Sequence, residues 1–219
     1  MLKKDYMKEV QSSLKLVRTE IDKNIINGEI EKAFEIINKE IRSLVGLDMK
    51  TIDTMAFFDV INIIGRENQY NAERYIALAE LLYLQGSVFD KIMSEEKKVV
   101  YYKKAIESFH EAYIEEEFLE EEYLRDAIEV IDRISEYELP LEQNRKIFKL
   151  YEAGNKFDKA EDVLFTMIKQ SNKEADIIDD GIDFYIRLKK KSRSELSKGN
   201  LPIDEIEESL KELIDIREN

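Results

Sequence analysis

Glu107, His110 and Glu111 lie within five residues of one another, and on a helix they would share neighbouring positions. The pattern Glu-x-x-His is how helical di-iron bundles present two metal ligands on one face. Such bundles need two copies of the motif and two further glutamates, and here one histidine permits one copy. From Glu107 to Glu122 there are eight acidic residues and no basic one. Glu107, Glu111 and Glu115 recur every four residues, a spacing at which like charges cost a few tenths of a kcal/mol per pair, about 0.2–0.5. A cation, a basic peptide or lysines from another helix would relieve that repulsion, while a solvated face needs no such partner.

Other chemistries lack their residues. There is no cysteine, so disulfides, thiolate nucleophiles and cysteine-based metal sites are excluded. No Gly-x-Ser-x-Gly elbow and no glycine-rich phosphate loop occur. Acids are too numerous for any glycosidase-like pair to stand out. The chain is expected to be non-catalytic, with no cofactor and no metal. A metal-binding or enzymatic bundle around Glu107–Glu122 and His110 is the alternative.

The formal charge of −14 opposes general binding to nucleic acid or to anionic membranes. One basic cluster, Arg187 to Lys198, is read as a solvated segment or as a neutralising partner for acids of the protein itself. No apolar run approaches the roughly 18 residues of a membrane span, and the first residues lack the apolar core of a signal peptide. A soluble, cytoplasmic protein is expected.

The elements that must position these residues are helices. Seven glycines and two prolines are too few for the turns of a sheet protein. Val10, Leu14, Val17, Ile21 and Ile25 form the stripe of an amphipathic helix that stops near Asn27-Gly28. Ile30, Ala33, Phe34, Ile37, Ile41 and Leu44 predict a second, stopping at Gly46, and Ile52 to Gly65 a third. The stretch NAERYIALAELLYLQGSVFDKIM is apolar nearly all round, so it is expected at the structural centre. Tyr123, Ala127, Ile128, Ile131 and Ile134 predict another inward face. About ten helices follow in all, an all-α fold. Residues 1–190 are expected to form one domain and 191–201 a linker. Residues 202–219 predict a final amphipathic helix, which caps the array or pairs with its twin in a homodimer.

One phrase occurs twice: NGEIEKAFEII from Asn27 and GNKFDKAEDVL from Gly154. In a helical hairpin, glycine at the bend permits reversal and alanine at the crease permits close approach. Gly28 with Ala33 and Gly154 with Ala160 suit these roles. A looser copy pairs Gly86 with Ala105, followed by Phe109 and Ala112. These spacings resemble the tetratricopeptide repeat (TPR). The three alanines are 72 and 55 residues apart, so the array is degenerate rather than periodic. KKDYMKEV, GEIEKAFEIINKEIRSLVGLD and ALAELLYLQGSVFD also resemble an uncharacterised bacterial family of TPR-like proteins, over roughly residues 1–115. That resemblance implies a fold and no activity. A stacked-hairpin array leaves a groove for peptides, so the expected function is a non-catalytic scaffold for a protein or peptide partner. Asn68, Tyr70, Tyr101 and Tyr102 are the expected groove lining.

Overall fold

The structure is a computed structural model that describes residues 3–66, 71–116 and 119–218. Among the described residues there are twelve helices and no strand. The chain divides into two compact units, Met1–Glu136 and Tyr137–Asn219. The expected domain of residues 1–190 is therefore split near its Pro140 break. Among the described residues, no helix is long and apolar enough to cross a membrane.

Unit 1 holds α1 (Lys3–Asn27), α2 (Ile30–Leu44), α3 (Met49–Thr54), α4 (Phe57–Gly65), α5 (Asn71–Lys91), α6 (Glu95–Glu116) and α7 (Glu121–Asp132). The apolar α5 is the centre, touching α1, α2, α4, α6 and α7. Its side chains are buried on every face, from Tyr75 and Ile76 through Leu78, Leu81 and Leu82 to Val88. On α7 the expected inward residues Tyr123, Ala127, Ile128 and Ile131 are buried, as is Ile134 just beyond it. The expected third helix is two helices. Met55 and Ala56 adopt extended conformations between α3 and α4, although no glycine or proline marks the break. Asp48 starts α3 by accepting the Thr51 amide at 2.8 Å.

Unit 2 holds α8 (Leu141–Ala153), α9 (Phe157–Gln170), α10 (Ala175–Leu188), α11 (Arg193–Lys198) and α12 (Ile203–Glu218). The expected linker 191–201 is ordered instead. Ser192 and Glu195 form a reciprocal capping box for α11. Leu196 and Leu201 are buried, and the Gly199 carbonyl accepts from the Asp158 amide at 3.1 Å. α12 packs on α10 and buries Ile206 and Leu213, while Ile203, Leu210 and Ile216 stay half-buried.

The reversals answer the repeated phrase. Gly28 ends α1 at φ +74°, where Glu29 N–H donates to Asn24 O and Gly28 N–H to Ile25 O. This paired closure is the Schellman pattern. The same pair of bonds ends α8, but Asn155 at φ +55° takes the left-handed step, not the expected Gly154. Gly86 is not at a reversal at all: it sits inside α5, and the turn to α6 uses Met93 at φ +57°. Ala33, Ala105 and Ala160 are fully buried, the first and last near the starts of α2 and α9 and Ala105 midway along α6. Gly86 has another role. A Cβ there would stand 2.4 Å from a ring carbon of Tyr102, so the glycine is what lets α6 lie against α5.

Candidate functional site

The face where α1, α5 and α7 meet carries the densest chemistry of unit 1. Along α1, Gln11, Leu14, Lys15 and Arg18 share one side at helical spacing; α7 adds Glu122, Tyr123 and Asp126, and α5 adds Glu80. Together they line a cavity of about 60 Å³. Lys15 and Glu122 stand at its mouth, paired at 3.3 Å, with the lysine largely exposed. Glu80 forms the deep end and is only 4% exposed.

One guanidinium faces two carboxyls. Arg18 Nη2 lies 2.5 Å from Glu80 Oε2 and 3.6 Å from Asp126 Oδ2. Among the described residues Glu80 Oε1 accepts no hydrogen bond, and Asp126 also acts on the Glu80 carboxyl. Burial pushes Glu80 well above the usual carboxylate range; Arg18 pulls it back and Asp126 pushes it further up. At neutral pH burial therefore favours the protonated form of Glu80.

A second layer fixes Arg18. Its guanidinium lies 5.5 Å from the centre of the Tyr83 ring, and Arg133 stands at the same distance from that ring. Tyr83 donates to Glu129 Oε1 at 2.5 Å, and Arg133 Nη2 donates to the same oxygen at 2.9 Å. Burial opposes ionisation of Glu129, but these two donors outweigh it and hold its carboxyl below the usual range. The result is a continuous polar seam from α1 to α7 across α5.

The expected site residues fall elsewhere. Tyr101 and Tyr102 are buried and do not line a groove. Tyr101 donates to both oxygens of Asp53 at 2.9 Å, and Tyr102 packs on Gly86. The Tyr101 hydroxyl reaches out to the exposed Asp53 carboxylate, so its ring is buried without stranding the donor. Asn68 and Tyr70 lie outside the described residues. Glu107, His110 and Glu111 are neighbours on α6, with His110 Nδ1 3.6 Å from Glu111 Oε1. Among the described residues no group of three or more His, Cys, Asp or Glu is placed to hold a metal ion. The basic cluster is divided within unit 2: Arg187 grips Glu152 with two bonds of 2.7 and 2.9 Å, and Lys189 pairs with Glu207 at 3.0 Å.

The sequence carries one signal of the buried carboxyl. Glu80 sits in an otherwise apolar segment, Ile76 to Leu84. An acid in a helix buried on all sides must be buried too, and a buried acid needs a partner. Its partners, Arg18 and Asp126, lie 62 and 46 residues away, beyond any local pattern.

Comparison with known proteins adds a family without an activity. A family model described as a family of unknown function matches residues 1–218. No curated protein and no solved structure matches.

Proposed function

The chain belongs to that family, DUF6483, and we propose that it is a non-catalytic helical scaffold, TPR-like in its hairpins, that binds a protein or peptide partner. The docking place in this reading is the α1–α7 face of unit 1. What carries it is the cavity there: a small, mostly apolar recess lined at one end by the buried Glu80 carboxyl and at the other by the exposed Lys15. A recess of about 60 Å³ is far below the roughly 300–1,000 Å³ of small-molecule sites, but it suits one side chain of a larger partner whose remainder lies along the helices. The absence of cysteine fits a cytoplasmic setting. The net charge of −14 favours a partner that is neither nucleic acid nor anionic membrane.

The test is photocrosslinking in the native cell from position 15, at the cavity mouth, and from position 39, whose lysine is 81% exposed on α2. The expected outcome is a discrete adduct with another protein from position 15 that position 39 does not give. No adduct from position 15, or the same adducts from both positions, overturns the docking face. An adduct of two copies of this chain replaces the outside partner by a homodimer.

A further inference from the structure

We propose that the cavity between α1, α5 and α7 receives the cationic end of a partner's lysine or arginine side chain, which donates to the buried Glu80 carboxyl. This rests on the docking reading above and names the chemistry of the docked group.

Acceptors and charge both point to a cation. The deep end offers Glu80 Oε1, which is buried and accepts no hydrogen bond among the described residues, and the neighbouring Asp126 carboxyl. A neutral amide or hydroxyl brings its own lone pairs and a weaker donor; ammonium and guanidinium groups are donors only. If Glu80 ionises, the lining carries three negative groups, Glu80, Asp126 and Glu122, against two positive ones, Lys15 and Arg18. One further cation restores neutrality. An anion would add to the same excess, and its approach is disfavoured.

The walls suit an alkyl stem with a charged tip. Leu14 is buried along one side and Tyr123 along another. A lysine or arginine lays its methylenes on such apolar surface and keeps its charge at the end. A bare metal ion suits the site less, since Arg18 already occupies Glu80 Oε2 at 2.5 Å.

The exchange balances. The incoming side chain brings one positive charge, and the proton held on Glu80 leaves to solvent. The charged groups acting on Glu80 are Arg18 of α1 and Asp126 of α7, with Lys15 and Glu122 farther out at the mouth. Tyr83 and Tyr123 face the same region, and burial raises both phenols, so they keep their protons throughout. Burial holds the Glu80 proton well above the usual carboxylate range, so ligand and proton compete at neutral pH. Affinity for a cation therefore rises with pH until Glu80 is ionised, by about tenfold per pH unit.

The experiment titrates the full-length protein with N-acetyl-arginine amide and N-acetyl-lysine amide, and with N-acetyl-citrulline amide as the neutral isostere of arginine. Amide NMR shifts locate binding, and calorimetry in two buffers of different ionisation enthalpy counts protons. The expected result is binding with a dissociation constant of order 1 mM, with shifts confined to residues 11–18, 80–83 and 122–126. Close to one proton is released at pH 7, and citrulline gives no such shifts. Glu80→Gln keeps a donor toward Asp126 but cannot ionise, and it weakens binding at least about tenfold. Glu122→Gln, at the half-exposed mouth, leaves the fold intact and weakens binding less. Equal shifts with citrulline, no localised shifts, or binding without proton release overturns the inference. If the probes fail while position 15 still crosslinks a partner, the docking face stands and its cationic ligand does not. If the probes bind but no partner crosslinks, the cavity is a cation site outside any partner interface.

Discussion

A single proton links the stability of unit 1 to pH. The Glu80 carboxyl is raised from 4.5 to about 8, through burial first and the nearby Asp126 charge, with Arg18 opposing. Its folded value exceeds its unfolded one, so the folded state binds the proton more tightly. The stabilisation is complete below the unfolded value and is lost as pH climbs toward the folded one. Across that window, stability falls by up to about 1.4 kcal/mol per pH unit. Thermal unfolding from pH 5 to pH 8 is expected to show a falling midpoint, and Glu80→Gln to flatten the slope. A slope unchanged in the variant would assign it to other groups. Glycine 86 gives a second prediction at this scale. Helix propensity alone says Gly86→Ala should stabilise α5 by about 1 kcal/mol. The Tyr102 ring says otherwise, since ring carbons at 2.4 and 2.5 Å leave no room for the methyl group. Gly86→Ala is expected to destabilise by about 1–3 kcal/mol in denaturant unfolding.

Helix ends were legible only in part. Gly28 was identified correctly because glycine takes the left-handed step without a Cβ clash. Asn155, Asn172 and Asn200 do the same work with φ near +55°, since asparagine tolerates that region better than most residues. Placing the reversal at Gly154 in Gly154-Asn155 missed by one residue for that reason. The element least visible in advance is α11, since a basic, serine-containing stretch looks like linker. Its Ser192–Glu195 capping box was present in the sequence, and what turns it into a helix is burial of Leu196 and Leu201 beneath it. Ser192→Ala removes the cap and is expected to cost about 1 kcal/mol. Hydrogen exchange over residues 193–201 should quicken accordingly, while α8 stays protected; unchanged exchange would mean that packing alone holds α11.

Each of the two units carries its own core, and each buries its own aromatic residues. In unit 1, Phe34, Phe89 and Tyr101 form a file across α2, α5 and α6, with centroids 5.0 and 5.3 Å apart. In unit 2, Phe148, Phe184 and Tyr185 form another across α8 and α10, with centroids 5.2 and 5.1 Å apart. At 83 residues from Tyr137 to Asn219, unit 2 is near the lower size limit for a self-sufficient core. Separate fragments 1–136 and 137–219 are each expected to be helical by circular dichroism and to unfold cooperatively. A fragment 137–219 without a cooperative transition would show that the division is geometric and not energetic.

The chain's own order determined that it is helical, that α5 is central, and that Ala33, Ala105 and Ala160 are buried. Those facts rest on spacings of three and four residues, and such spacings are read within a single helix. Tertiary structure decided that Tyr101 and Tyr102 face inward, that Gly86 admits a ring, and that Arg18 meets both Glu80 and Asp126. These depend on the rotation and register of helices far apart in the chain. An ångström of sliding or a few tens of degrees of turn would alter each of them without disturbing any local pattern.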